Sequence, residues 1–275
     1  MKYDILEPFK EYLYQEFSKN TARKYYSCAV KMFQNLQFNS ISEVKREYIE
    51  EEIIKFKTKN EFSAAKNSLL NLKKLYPDLN LPENNFFQVT SRKKRNWSKK
   101  PKKEIFLDET KRKVNQIKNP KLKLAYRLAM VSGLRVSELS CLDAKDIILL
   151  EDGSIRVNVR YGKGGSNGIV ECLPDPYLYK KFNEHLAEVD PEERLFYSEV
   201  YMREHADRLG LECHDFRRIF AITYRNQLKT EMPVAEANLR VQAALRHRRF
   251  STTKRYLFNR KLVIKRTREE SDEKQ

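Results

Sequence analysis

Apolar residues recur at intervals of three and four positions along most of this chain, which is the spacing of amphipathic helices. Before residue 90 the pattern covers four segments, Ile5 to Phe17, Ala22 to Leu36, Val44 to Phe56 and Phe62 to Tyr76. Residues 1–90 are therefore predicted to form a helical domain.

The pattern changes in the second part of the chain. Helical spacing returns at Leu122 to Val131 and Val136 to Leu142, and again from Pro176 onward. Between them, an alternating segment from Ile155 to Val159 and an apolar segment from Ile169 to Leu173 flank a cluster of glycines, which is typical of a β-hairpin. Residues 105–275, including a C-terminal tail, are predicted to be a mainly α domain with a small antiparallel β-sheet.

Charge narrows the classes of partner. The formal net charge is +17, which favours an anionic partner, and double-stranded DNA is the first candidate. A membrane surface would attract the same charge, but no apolar run approaches the ~18 residues needed to span a bilayer, and the N-terminus lacks a signal-peptide pattern. We therefore expect no membrane partner and a cytoplasmic, nucleoid-associated protein.

Positive charge is densest in residues 91–104, SRKKRNWSKKPKKE, which lack helical periodicity and are predicted to be a basic linker. Two interpretations of this segment are possible from the sequence: a connector that contacts only solvent, and a segment that contacts DNA. The candidate DNA-binding residues are Arg92, Lys93, Lys94, Arg95, Lys99 and Lys100 in the linker, with Arg23 and Lys24 on the second predicted helix.

The cysteines Cys28, Cys141, Cys172 and Cys213 are far apart and show no zinc-site spacing. We expect free thiols, no metal and no cofactor.

Five segments carry residue types suited to phosphodiester chemistry. They are GLRVSEL around Arg135, the glycine-flanked Lys163, HDFR with His214 and Arg217, LRH with His247, and STTKRY ending at Tyr256. Their order and spacing resemble the tyrosine recombinases, the family of phage integrases and Xer-like enzymes, and the resemblance spans the whole chain. It implies a helical core-binding domain joined to an α+β catalytic domain that cuts and rejoins DNA.

The chemistry asks for the same residue types. Negative charge grows on the nonbridging oxygens of a phosphodiester under attack, so Arg135 and Arg217 are predicted to clamp these oxygens. Tyr256 is the predicted nucleophile. A 3′-phosphotyrosine retains the bond energy and can be attacked by a 5′-hydroxyl, so no nucleotide is needed.

The remaining roles depend more on the resemblance. Lys163 is the candidate general acid for the 5′ oxygen, with a plain phosphate contact or a solvated loop charge as alternatives. His214 is predicted to be a general base or a phosphate hydrogen-bonder, and His247 to donate to a nonbridging oxygen. Glu138 is expected to brace active-site side chains, with a helix-surface carboxylate as the alternative.

The sequence departs from the family at Arg246, where a glycine usually precedes the histidine. This puts the local backbone turn in question, and the extra charge would suit further phosphate contacts.

The family also implies a homotetramer on paired DNA sites and leaves a directionality factor open. The expected function is integration or excision of a mobile element, or Xer-like resolution. A catalytically inactive DNA-binding regulator and a type IB topoisomerase-like enzyme are the alternatives. Target sequence, crossover spacing and host are not predicted.

Overall fold

The computed structural model describes residues 4–35, 40–93, 104–162, 167–258 and 262–263, apart from the side chains of Asp4, Ser42, Arg92 and Lys93. The chain divides into two compact units, Met1–Lys100 and Pro101–Gln275. Helices dominate both units and the second contains a small antiparallel sheet. The predicted fold class is therefore confirmed. In the described part of the chain no helix is both long and apolar enough to cross a membrane.

The first unit packs its helices around one apolar core that includes Phe9, Leu13, Phe62 and Leu69. Its helices are α1 (Glu7–Glu16), α2 (Lys19–Phe33), α3 (Arg46–Ile54), α4 (Lys59–Leu75) and α5 (Asn84–Lys93). The first four correspond to the predicted segments, whereas α5 was not predicted, because few of its residues are apolar. The buried Phe87 fixes α5 by packing against Phe62 of α4.

Thr58 sets the start of α4. Its hydroxyl accepts a hydrogen bond from the Glu61 backbone N–H at 3.1 Å, and a Glu61 carboxylate oxygen accepts one from the Thr58 N–H at 3.0 Å. This reciprocal cap satisfies two backbone donors that a helix N-terminus otherwise leaves open.

The second unit wraps helices around a larger core and a three-stranded sheet. Its elements are β1 (Ile105–Phe106), α6 (Leu107–Asn115), α7 (Pro120–Ser132), α8 (Val136–Leu139), β2 (Ile147–Leu149), β3 (Ile155–Val159), β4 (Gly168–Glu171), α9 (Pro176–Leu186), α10 (Glu199–Arg208), α11 (Cys213–Leu228), α12 (Val234–Ala244), α13 (Phe250–Phe258) and β5 (Leu262–Val263). Strand β5 pairs in parallel with β1, so the strand after α13 returns to the first strand of this unit.

The antiparallel hairpin β3–β4 follows the predicted alternation. Ile155, Val157 and Val159 are buried, and Val157 lies opposite Val170 of β4. Strand β2, which pairs with the other edge of β3, was not predicted from its three apolar residues. The turn of the hairpin, with Lys163, lies outside the described residues.

Candidate active site

Gly133 places the first arginine of the site by ending α7. It adopts a left-handed φ of 64°, and a Cβ at this position would lie 2.4 Å from the ring of Phe220. Only glycine allows both the turn and this close approach. Arg135 then caps the N-terminus of α8, where its backbone N–H and its Nη1 donate to the two carboxylate oxygens of Glu138 at 2.8 and 2.7 Å. Glu138 thus holds both the main chain and the guanidinium of Arg135.

Arg217, on α11, joins three segments of the second unit. Its side chain is only 1% exposed, and it donates to the backbone carbonyls of Gly133 and Leu245. Burial, followed by the charge of Arg135, lowers the pKa of Arg217 to about 10, so the guanidinium stays charged at neutral pH. The end of α7 and the end of α12 are therefore fixed to one buried cation.

His247 lies beside Arg217 in a neutral state. Burial, reinforced by the Arg217 charge, lowers the pKa of His247 to about 3. The imidazole Nε2 is 3.2 Å from Arg217 Nη2, and Nδ1 is 3.0 Å from Thr253 Oγ1. A guanidinium can only donate, so Nε2 accepts and the single ring proton of His247 is on Nδ1, facing the Thr253 hydroxyl.

Tyr256 faces these groups from α13. Its hydroxyl is 3.2 Å from Nδ1 of His214, which occupies the first turn of α11 three residues before Arg217. The Tyr256 ring centroid lies 5.7 and 5.6 Å from the guanidinium carbons of Arg217 and Arg218. Desolvation, with the charges of Arg218 and Arg203, lowers the pKa of His214. The phenol is thus placed against a neutral imidazole and two cations.

Arg246 adopts the turn that the sequence left in question. It has a φ of 52°, a left-handed conformation that costs an L-residue roughly 1–3 kcal/mol. Its Nη2 donates to Glu138 at 2.7 Å, so this carboxylate, itself 1% exposed, binds two arginines. Burial by itself raises the pKa of Glu138. The hydrogen bond from the Arg135 N–H and the charges of Arg246, Arg135 and Arg217 have the opposite effect and together outweigh burial, so the net shift of the pKa is downward.

Solved structures of DNA-bound integrases share this architecture. A lambda integrase dimer bound to a COC′ core site aligns over 94% of this chain and 95% of that one, with a TM-score of 0.65 and 17% identity. The Tn1549 transposon integrase in complex with circular intermediate DNA aligns over 92% and 94%, with a TM-score of 0.64 and 16% identity. A lambda integrase tetramer bound to a Holliday junction aligns over 94% and 77%, with a TM-score of 0.66 and 16% identity.

The chain has the tyrosine recombinase fold. No protein-family model matches the sequence, and no curated protein matches it either. Fold similarity at this level of identity leaves the chemistry of this chain to be argued from its own residues.

On the tyrosine recombinase fold, the structure brings together five of the six residues predicted to be catalytic. Arg135, His214, Arg217, His247 and Tyr256 form one connected cluster with Glu138. Lys163, the sixth, lies outside the described residues.

The candidate DNA-binding residues are placed less completely. Arg23 and Lys24 are exposed on α2 of the first unit. Among the linker candidates, Arg92 and Lys93 belong to the last turn of α5, but their side chains are not described. Lys94, Arg95, Lys99 and Lys100 lie outside the described residues.

Sequence reasoning missed Arg218, Thr253 and Gln242. Gln242 donates to the carbonyl of His247 at 2.9 Å and so fixes the turn before α13. Thr253 is three residues before Tyr256 on the same helix, a spacing that places both side chains on one face and would have marked it as a candidate. Arg218 directly follows Arg217, and sequence offers no signal that it also reaches Tyr256.

The described residues contain no group of three or more His, Cys, Asp or Glu side chains placed to hold a metal ion.

Proposed function

We propose that this chain is a tyrosine recombinase, an enzyme that cleaves DNA strands and rejoins them through a 3′-phosphotyrosine at Tyr256. One observation carries the proposal: the Tyr256 hydroxyl is 3.2 Å from His214 Nδ1, and its ring faces two guanidiniums. The fold shared with DNA-bound integrases supports DNA as the substrate.

The attack begins with loss of the phenol proton. Because its pKa is lowered, His214 is neutral at pH 7 and accepts this proton on Nδ1. The guanidiniums of Arg217 and Arg218 also face the Tyr256 ring. The Tyr256 oxygen then bonds to phosphorus, the bond from phosphorus to the 5′ oxygen breaks, and the leaving oxygen takes a proton from the general acid, for which we propose Lys163.

Arg135 and Arg217 neutralise the charge that grows on the nonbridging oxygens. The Arg135 side chain is 16% exposed and is held by Glu138. Arg217 is held by hydrogen bonds to two backbone carbonyls. Both cations are therefore in place before the substrate arrives, which lowers the reorganisation needed during the reaction.

His247 is able to donate a hydrogen bond to the same phosphate if its ring changes tautomer. An oxygen placed between Nε2 and Arg217 would accept from both, provided that the ring proton moves from Nδ1 to Nε2. The Thr253 hydroxyl permits this change, because it can accept from Nδ1 in one tautomer and donate to it in the other.

The reverse reaction joins the strands. A 5′-hydroxyl gives its proton to the neutral amine of Lys163 and attacks the phosphotyrosine, the bond between phosphorus and Tyr256 breaks, and His214 returns its proton to the Tyr256 oxygen. Attack by a hydroxyl of another duplex gives recombination, and we propose that this takes place in a homotetramer on paired DNA sites. We propose integration or excision of a mobile element, or Xer-like resolution, as the biological role, with a directionality factor as a further candidate partner.

Tyr256→Phe tests the proposal directly. A DNA site is first selected from a random duplex pool by binding, then prepared with a nick that traps the cleaved intermediate. Tyr256→Phe should bind this duplex with wild-type affinity and form no covalent adduct, because only the nucleophilic oxygen is lost.

Tyr224→Phe is the matched control, since the Tyr224 ring stacks on Phe220 in the same unit and should be unaffected by loss of its hydroxyl. Adduct at wild-type yield from Tyr256→Phe would reject Tyr256 as the nucleophile. Binding without adduct by the wild type would favour a DNA-binding regulator, and relaxation of supercoiled DNA by a monomer would favour topoisomerase activity.

A further inference from the structure

Arg246 occupies a backbone position that favours glycine. Among the described residues it is the one non-glycine residue with a positive φ. Glycine would adopt this conformation without steric cost, whereas an arginine must overcome a clash of its Cβ. The side chain must therefore supply something that glycine cannot.

The Arg246 guanidinium contacts Glu138 and is largely shielded from solvent. Its side chain is 12% exposed, and its Nη2 donates to the Glu138 oxygen Oε2, which also accepts from the Arg135 backbone N–H. The other oxygen, Oε1, accepts from Arg135 Nη1. Glu138 is thus fixed from two sides, by Arg135 of α8 and by Arg246 at the end of α12.

The remaining donors of the Arg246 guanidinium show that its buried position is energetically unfavourable. Its Nε and Nη1 are buried and form no hydrogen bond within the protein. Leaving buried donors unpaired is unfavourable, and a flexible surface arginine would avoid it by turning outward. The contact with Glu138 therefore keeps the charge inside the site.

We propose that Arg246 is a positioning residue for the cleavage reaction, acting through Glu138 to fix the Arg135 guanidinium against the scissile phosphate. The inference rests on the proposed function. With Arg246 in place, the Glu138 carboxylate cannot rotate without breaking contacts on both sides, and Arg135 is held at one angle. Without it, Glu138 and Arg135 are free to move as a pair.

The test compares variants at position 246 in single-turnover cleavage of the nicked duplex at saturating DNA. Arg246→Gly relieves the backbone strain and removes the guanidinium. We expect it to bind DNA within about threefold of wild type and to cleave about 10- to 100-fold more slowly, the usual cost of losing a supporting residue. Arg246→Lys, which keeps a donor and a charge, should recover part of the rate.

A double-mutant cycle identifies the route of the effect. In a Glu138→Gln background, Arg246→Gly should cost less than about threefold, because residues that act through one partner are not additive. Arg240→Ala is the control for loss of one positive charge, since Arg240 lies on α12 with an exposed side chain and should retain the wild-type rate.

Wild-type cleavage by Arg246→Gly would overturn the inference and leave Arg246 a structural residue. An undiminished loss in the Glu138→Gln background would also overturn it, because the effect would then bypass Glu138. Equal losses in affinity and rate would reduce Arg246 to a general DNA-binding charge. If the wild type itself forms no adduct, the proposed function fails first, and this inference falls with it.

Discussion

The two site histidines have the same charge but different neighbours. His247 is buried beside Arg217 and has a pKa of about 3, whereas His214 is exposed on one side and has a pKa lowered by desolvation and by several arginines. Both are neutral near pH 7. Only His214 contacts the Tyr256 hydroxyl, so only His214 is placed to accept its proton.

The acid limb of the cleavage rate should follow His214. Protonation removes the base, so the rate falls as pH decreases through the His214 pKa, which lies below the ordinary value of 6.5. Single-turnover adduct formation measured from pH 8 downward should show this inflection below pH 6.5. His214→Asn should be slower by about 10² to 10⁴-fold and should lack the inflection.

His185→Asn, a change outside the site, should keep the wild-type profile. An inflection that survives unchanged in His214→Asn would assign the base to another group.

At this scale the sequence predicted which residues belong to the candidate site but not their contacts. Motifs that resemble those of tyrosine recombinases singled out Arg135, Arg217 and Tyr256, and clamping and attacking a phosphate suit those residue types. The Arg246 contact with Glu138 joins residues 108 positions apart. Such a pair depends on how α8 and α12 pack, which local periodicity does not specify.

At the scale of elements, the hairpin carrying the candidate acid is anchored at its base. Arg160, directly after β3, forms ion pairs with Asp143 and Asp146, both in the segment that follows α8. The end of β3 is therefore tied to the same stretch of chain that presents Arg135. The alternation in β3 was predictable because one face of the strand is buried, whereas β2 and α5 were too short or too polar to predict.

Lys163, which lies between β3 and β4 in the sequence, can be tested through the leaving group. If Lys163 protonates the 5′ oxygen, Lys163→Ala should cleave ordinary DNA about 10² to 10⁴-fold more slowly. A 5′-bridging phosphorothiolate leaves as a thiolate and needs no proton, so the same variant should cleave it at nearly the wild-type rate.

Arg135→Ala, in contrast, should remain slow on both substrates, because the phosphate clamp is still missing. Equal defects of Lys163→Ala on the two substrates would limit Lys163 to a phosphate contact.

At the scale of the whole molecule, charge carries the prediction of an anionic partner, which the arrangement of helices does not specify. A net charge of +17 spread over two separately packed units provides a long-range attraction to DNA. The fold class followed from periodicity, because both units are mainly helical. The contacts that turn this scaffold into a candidate site needed the three-dimensional structure.

DNA affinity should fall steeply with salt, and the slope should report individual contacts. Each phosphate contact contributes about 0.9 to the slope of log affinity against log salt concentration. Replacing the exposed Arg23 and Lys24 of α2 by alanine should lower the slope by up to about twice this amount. Cleavage at saturating DNA should be unchanged.

Lys74→Ala, an exposed lysine on α4, provides the comparison for losing a charge from the same unit. Parallel salt plots for wild type and the α2 double variant would remove Arg23 and Lys24 from the interface.

The three arginines around Glu138 leave this cluster with more positive than negative charge. Arg135, Arg217 and Arg246 face a single carboxylate, and a low-dielectric interior tolerates unbalanced charge poorly. A phosphate bound there would supply the missing counter-ion. Substrate binding and folding stability are then thermodynamically linked, since a ligand that binds only the folded state stabilises it. The DNA substrate that we propose would then also stabilise the folded second unit.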